Sequence, residues 1–270
     1  MMNKPAVRQE NYQELYEYYL SYQPNKYKSE LGYLGMHLAT RSRVHFQDDS
    51  KAQIEHHLKN GVQLILTPNH VSDFDQFVIA GLAHSQKVLR PLRGETIIPA
   101  KYDLFGGKPK VQFIQDFFDE HGLIDLMGAI PTFRTPSGVV LTPEQEELQV
   151  DSTLALGRLT EFLMIERGKH LAMYPEGTRN KNAPRTVQRL RNGVGHTAVN
   201  VGQHAKVAIV PVGVSYEEDF TLGINRPEVV IGELILGDFV SVGAVLEELH
   251  PAMQNVVDLA YAFSDERLAA

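Results

Sequence analysis

The stretch LTPNHVSDFDQF, residues 66–77, gathers an amide (Asn69), an imidazole (His70), a hydroxyl (Ser72) and two carboxylates (Asp73 and Asp75) between the apolar runs VQLIL and FVIAGLA. An imidazole beside a carboxylate makes a proton-transfer pair. The carboxylate fixes one ring nitrogen as N–H and stabilises imidazolium, which leaves the other nitrogen to accept a proton. Asp75 follows His70 by five residues, which on a continuous helix sets them about 140° apart around the axis. They meet only if His70 lies in a turn and Asp75 in the first turn of the helix behind it. The chain has no cysteine and no G-x-S-x-G elbow, so the hydroxyl such a pair would activate belongs to a substrate. A simpler role fits the same residues: Ser72 and Asp75 form the S-x-x-D of a capping box, and Asn69 and His70 can satisfy turn amides.

A second polar cluster, AMYPEGTRNKN, follows the apolar run HLAMY and carries Glu176, Gly177, Thr178 and Arg179. Arg179, Lys181, Arg185, Arg189 and Arg191 then place five bases in thirteen residues with no acid among them. In a chain of net charge −7 that run reads either as a local anion site or as a solvated loop. Upstream, GAIPTFR sets Gly128 six residues before Arg134.

These clusters need elements to position them. VQLIL, HLAMY, KVAIVPVGVSY and EVVIGELIL read as strands, and Phe74–Ala83, Leu148–Arg167 and Val187–Val201 as helices. Alternating strands and helices predict an α/β fold, a mostly parallel sheet flanked by helices, which places His70 and Glu176 where α/β proteins carry their sites, just past strand ends. Ahead of it lies a helical region, residues 1–60, with stripes at Tyr12, Leu15, Tyr16 and Tyr19 and at Tyr27, Leu31, Leu34 and Leu38, and a third helix over Ser50–Lys59 stopped by Asn60-Gly61. The second stripe, flanked by Lys26, Lys28, Arg41 and Arg43, suits either a membrane surface or ordinary core packing. The division expected is therefore a helical region over 1–60 and an α/β domain over 61–270. Residues 88–142, rich in proline and glycine with weak periodicity, read as an irregular connection partly covering the site.

Composition narrows the classes. With 43% hydrophobic residues the 270-residue chain can bury a substantial core. The negative net charge argues against nucleic acid as main partner. The absence of cysteine removes disulfides and thiolate metal sites, no run approaches the roughly 20 apolar residues of a membrane span, and the opening MMNKPAVRQENYQEL lacks a signal-peptide core. These features predict a soluble, cytoplasmic protein. GVGHTA at Gly193–Ala198 matches a dinucleotide fingerprint by letter, but the polar VQRLRN before it is no buried strand.

Asn69-His70-x4-Asp75 together with Pro175-Glu176-Gly177-Thr178-Arg179 resembles the glycerolipid acyltransferase family, which includes the lysophosphatidate and glycerol-3-phosphate acyltransferases. The family's blocks run in the order H-x4-D, G-x5-R, E-G-T-R and a strand bearing proline. Here they are His70/Asp75, Gly128/Arg134, Glu176–Arg179 and Pro211 in VAIVPVGVS, over roughly residues 62 to 215. The resemblance implies acyl transfer from an acyl-CoA or acyl-carrier-protein thioester with no metal and no cofactor beyond that donor. It makes His70 the base and Asp75 its positioning partner, and has Glu176, Gly177, Thr178 and Arg179, helped by Arg134, bind the phosphate of a glycerol acceptor. E-G-T-R points to 1-acyl-glycerol-3-phosphate, hence to phospholipid biosynthesis and a peripheral membrane habit. A soluble glycerol-3-phosphate acyltransferase, a non-enzymatic lipid-phosphate binding protein and a hydrolase are the alternatives.

Overall fold

The computed structural model describes residues 4–101, 123–135, 139–216 and 226–269. After a short turn of 3-10 helix come α1 (Tyr12–Ser21), α2 (Lys26–Thr40), β1 (Arg43–Phe46), α3 (Ser50–Lys59), β2 (Gln63–Pro68), α4 (Asp75–Ser85) and β3 (Thr96–Lys101). Then follow α5 (Leu123–Leu126), β4 (Ala129–Thr132), α6 (Pro143–Arg167), β5 (His170–Ala172), α7 (Gly193–Gly202), β6 (Val207–Ser215), β7 (Glu228–Ile231), β8 (Ile235–Leu236) and α8 (Val242–Ala269).

Among the described residues the strands form one sheet in the order β1-β7-β6-β2-β5-β3-β4, with β8 also against β6. Every pairing is parallel except those of β6 with β7 and β8. The expected α/β class, a mostly parallel sheet with helices on its faces, is the class observed. The two-residue period explains why both faces are covered. Leu64 and Leu66 of β2, with Ala208, Val210, Val212 and Val214 of β6, pack with Tyr33, Met36, Ile54 and α4. Ile65 and Ile209 point the other way, among Leu15, Leu163, Val194, Leu249 and Met253.

Local signals set the element ends. Thr142 and Gln145 close a capping box on α6, Pro143 stands at its first turn, and Gly168 ends it at φ 62°. Pro211 is tolerated inside β6 because its carbonyl faces the backbone of Gly232, between β7 and β8, so its missing N–H falls at a break in the ladder.

The structure departs from the sequence reading in several places. Residues 43–46 are a strand, though they lie in the segment read as helical. Within 88–142, residues 96–101 and 129–132 are parallel strands pairing with each other, where an irregular connection was expected. The expected cover over the site falls in part on residues 102–122 and 136–138, outside the described residues. EVVIGELIL is two short strands, Glu228–Ile231 and Ile235–Leu236, separated where the Gly232 N–H donates to the Pro211 carbonyl and the proline has no N–H to return. The helix expected over Val187–Val201 begins only at Gly193. Gly195 there meets Val242, whose Cγ1 would stand 2.7 Å from an added Cβ. Helix packing thus accounts for a glycine of the dinucleotide-like pattern, and no strand precedes it.

Candidate active site

The polar turns lie at the carboxyl ends of β2 and β5, which pair in parallel. Leaving β2, Asn69 is 2% exposed and extends the sheet with its side chain. Its Nδ2 donates to the Val214 carbonyl (3.0 Å), and the Val214 N–H donates to its Oδ1 (2.7 Å). This amide clamps the turn to β6 and fixes the direction in which His70 departs.

His70 and Asp75 meet as the spacing required, with His70 in the turn and Asp75 the first residue of α4. His70 Nδ1 lies 2.8 Å from Asp75 Oδ2. That same oxygen accepts the N–H groups of Val71 (2.8 Å) and Ser72 (2.9 Å), while Oδ1 accepts from the Tyr216 hydroxyl at 2.6 Å. Asp75 has no solvent exposure, and a buried carboxylate is tolerated only with donors of this kind. The capping and dyad roles are therefore combined in one residue. Asp75 receives the Ser72 N–H, half of a capping box, while Ser72 Oγ takes the N–H of Phe74.

The third block holds the first. The His70 N–H donates to Glu176 Oε1 (2.8 Å), the Asn180 N–H donates to the His70 carbonyl (2.7 Å), and the Gln188 N–H donates to Glu176 Oε2 (2.9 Å). Burial raises the Glu176 pKa, and the N–H groups of Gln188 and His70 oppose that rise. Glu176, expected among the acceptor-binding residues, is 2% exposed with both oxygens engaged. It stands behind the cleft wall and fastens the two loops together.

A cleft of about 330 Å³ opens beside the pair. His70, Arg134, Gly177, Thr178 and Arg179 line it, with Ile98, Pro99, Ala100 and Met173 supplying an apolar side. His70 Nε2 has no protein partner among the described residues, so it is free to take a proton from a bound group. Gly177 sits at φ 72°, where a Cβ would come within 3.0 Å of Arg191 Cγ and 3.3 Å of Arg134 Nη1. A side chain there would be strained and would fill the space between the two arginines. Arg134 donates to the Gly177 carbonyl (3.1 Å). Burial first, then the charge of Arg191, hold its pKa below the usual arginine range, although a guanidinium stays charged at any physiological pH. Gly128 and Arg134 stand before and after the short strand β4, and a Cβ on Gly128 would overlap the Thr96 carbonyl at 1.8 Å.

In three dimensions the basic run divides. Arg179 and Lys181 pair with Asp73, the latter at 3.0 Å, and Arg185 grips Asp265 with two bonds of 2.8 Å. Acids distant in sequence pair with three of the five bases, while Arg191 and Arg134 stand beside Gly177 without a carboxylate among the described residues. Among the described residues no three His, Asp or Glu side chains converge as a metal site.

Two tyrosines were not identified from sequence. Tyr216, the last letter of KVAIVPVGVSY, reaches the second oxygen of Asp75. Tyr174 stacks on the His70 ring with centroids 4.3 Å apart and planes at 24°. Its hydroxyl is buried with no hydrogen-bond partner among the described residues, and burial, then the Asp75 charge, push its pKa well above the usual tyrosine value. An unsatisfied buried hydroxyl costs about 1–3 kcal/mol. Tyr174→Phe is therefore expected to keep the stack and turnover while raising stability by ~1 kcal/mol, a Tm rise of about 2–4 °C. A thermal melt with a turnover assay checks this, and lost turnover would give the hydroxyl a part in the reaction.

None of the curated proteins matches the chain. The model of the family described as Acyltransferase matches residues 44–215, more than half the chain, from within β1 to the last residue of β6. That span contains both polar turns and every residue placed on the cleft. The chain therefore belongs to the Acyltransferase family, in agreement with its resemblance to the glycerolipid acyltransferases.

Proposed function

We propose that this acyltransferase moves a fatty acyl group from an acyl thioester, acyl-CoA or acyl-carrier protein, to a hydroxyl of a glycerol-phosphate acceptor, with 1-acyl-glycerol-3-phosphate the best fit. The observation that carries the reading is His70. Its Nδ1 is held by Asp75 and its Nε2 is free on a cleft rimmed by Arg134 and Arg179. His70 Nε2 accepts the proton of the acceptor hydroxyl as that oxygen attacks the thioester carbonyl, and Asp75 stabilises the imidazolium. The carbon–sulfur bond then breaks, and the departing thiolate takes the proton back from His70. The products are an ester and a free thiol. Nothing beyond the thioester is consumed, and the reaction as written needs no metal or other cofactor.

Gly177, Thr178, Arg179 and Arg134 face the acceptor in this reading, and the guanidinium forks suit its phosphate. Glu176 contributes by holding the loop. The apolar wall at Ile98, Pro99, Ala100 and Met173 suits an acyl chain. Such a reaction belongs in phospholipid biosynthesis, carried out by a cytoplasmic, peripheral membrane enzyme. Among the described residues no helix is long and apolar enough to cross a membrane.

The acceptor class is tested with Arg134→Ala and Arg179→Ala. Each removes a charge-assisted contact of about 1.5–3 kcal/mol, so kcat/KM for lysophosphatidate or glycerol 3-phosphate should fall about 10- to 150-fold. An unphosphorylated monoacylglycerol should be little affected. Equal losses on all acceptors with a lowered melting temperature would assign these arginines to the scaffold, a specific concern for Arg179 because it pairs with Asp73.

A further inference from the structure

The two oxygens of Asp75 are held from different parts of the chain. Oδ2 meets His70 Nδ1 and the N–H groups of Val71 and Ser72, all from its own turn. Oδ1 accepts from the Tyr216 hydroxyl at 2.6 Å, which comes from just past the end of β6. Alternation along the strand puts the ring there. Val210, Val212, Val214 and Tyr216 share the face packed with α4, whose first residue is Asp75. The Asn69 clamp on Val214 fixes the strand end from which the ring departs. Ser72 in turn hydrogen-bonds to the Tyr216 hydroxyl. The phenolic proton is already on the carboxylate, so the serine hydroxyl is the donor. Hydrogen bonds thus run from Ser72 through Tyr216 to one oxygen of Asp75, with His70 on the other.

A short bond from a hydroxyl to a carboxylate is charge-assisted. It draws negative charge toward Oδ1, leaves Oδ2 a weaker acceptor for His70 Nδ1–H, and is itself strengthened by the bond behind it. The carboxylate that stabilises imidazolium is therefore restrained. Restraint suits a histidine that must take a proton from an alcohol and return it to a thiolate, because a base works best near the operating pH. Burial, then the Asp75 charge, push the Tyr216 pKa well above the usual tyrosine value. The hydroxyl accordingly remains a donor over the whole range in which an imidazole titrates. Tyr216 is not among the residues lining the cleft, so it acts through Asp75. The other ionisable groups around the pair are Tyr174 stacked on His70, Glu176 behind it, Arg134 and the Arg179–Asp73 pair at the cleft, and Tyr261 from α8. Substitution at Tyr216 leaves all of them in place.

We propose that Tyr216 is a positioning residue of the reaction, whose hydroxyl, backed by Ser72, restrains the Asp75 carboxylate and so sets the pH above which His70 serves as base. The role rests on the acyl-transfer reading of His70. Tyr216→Phe tests it by removing the hydroxyl and keeping the ring. With Oδ1 released, Oδ2 holds imidazolium more tightly, so His70 keeps its proton to higher pH. A hydrogen bond to a charged group biases an equilibrium about tenfold or more, so the acid limb of the kcat/KM profile should move toward higher pH by about one unit. Activity on that limb falls about tenfold, while the plateau above it and KM stay close to those of the parent. The His70 Nδ1 proton resonance, assigned by its absence in His70→Ala, should move downfield, a reading that requires no turnover.

Ser72→Ala weakens the same chain of bonds one step further out. It should move the limb and the resonance in the same directions by smaller amounts, and it carries the test if Tyr216→Phe does not fold. An unmoved limb and resonance in the folded variants would overturn the proposal. An equal loss at every pH with a lowered melting temperature would make the hydroxyl a structural group only, and overturn it too. So would a raised KM with the limb unmoved, which would set Tyr216 against the substrate. Turnover retained in His70→Ala would defeat the reading of His70 on which the role rests, whereas an unmoved limb beside an inactive His70→Ala defeats the role of Tyr216 alone.

Discussion

Replacing His70 by alanine is expected to lower kcat about 10²–10⁴-fold, the range typical of a lost general base, with the melting temperature close to that of the parent. The ring contributes one bond to Asp75 and one stack on Tyr174, and the main chain of the turn stays tied to Glu176 and Asn180. Asp75 Oδ2 keeps the Val71 and Ser72 donors after the substitution. Steady-state kinetics with a thermal melt check both parts. Turnover preserved in His70→Ala removes His70 from the mechanism.

Asp75→Ala should be the most damaging change, because one carboxylate serves catalysis and the fold. It would leave the Val71 and Ser72 N–H groups without their acceptor and break the bond from the Tyr216 hydroxyl to the carboxylate. At about 1–3 kcal/mol for each unsatisfied buried group, a loss of about 3–5 kcal/mol is expected, alongside loss of turnover. Asp75→Asn separates the two roles. The Val71 and Ser72 donors require the amide oxygen at the Oδ2 position, which turns the amide nitrogen toward the Tyr216 hydroxyl oxygen. His70 Nδ1–H then still finds an acceptor, so the tautomer survives and only the negative charge is lost. Exchanging a charge-assisted bond for a neutral one is worth about 1–2 kcal/mol, so kcat should fall about 5- to 30-fold with the fold retained. A loss in Asp75→Asn as deep as that of His70→Ala would mean that the tautomer is not held in this way.

The parts legible in the sequence have local causes. The apolar runs of β2 and β6 are buried along most of their length and read as strands at once. The His70–Asp75 geometry follows from five-residue spacing across a strand-to-helix turn. Other parts depend on distant partners. AIPT in β4 is four residues long with a proline, and becomes a strand only because β3 offers it a parallel edge. RVHF in β1 carries a charge and an imidazole, which Glu228 on the neighbouring strand satisfies from across the chain. The long helix α8 was not singled out. Its Pro251 argues locally against a helix, while Val245, Leu249, Met253, Val256 and Val257 repeat at helical spacing and the core decides the outcome. In the site, Glu176 has the chemistry of a ligand contact, and only the fold reveals that it is buried with each oxygen bonded to the main chain of a different loop. Tyr216 lies 141 residues from the carboxylate it supports, and nothing in the spacing of a single sequence reports such a contact.

The most direct measurement follows free thiol and lipid product together when the purified protein is given palmitoyl-CoA with and without lysophosphatidate. Acyl transfer through His70 predicts thiol release that depends on the acceptor, matches the diacyl product mole for mole, and is lost in His70→Ala. Thiol release at the same rate without acceptor, with free fatty acid as product, would make the protein a thioesterase and contradict the transfer of an acyl group to a lipid hydroxyl.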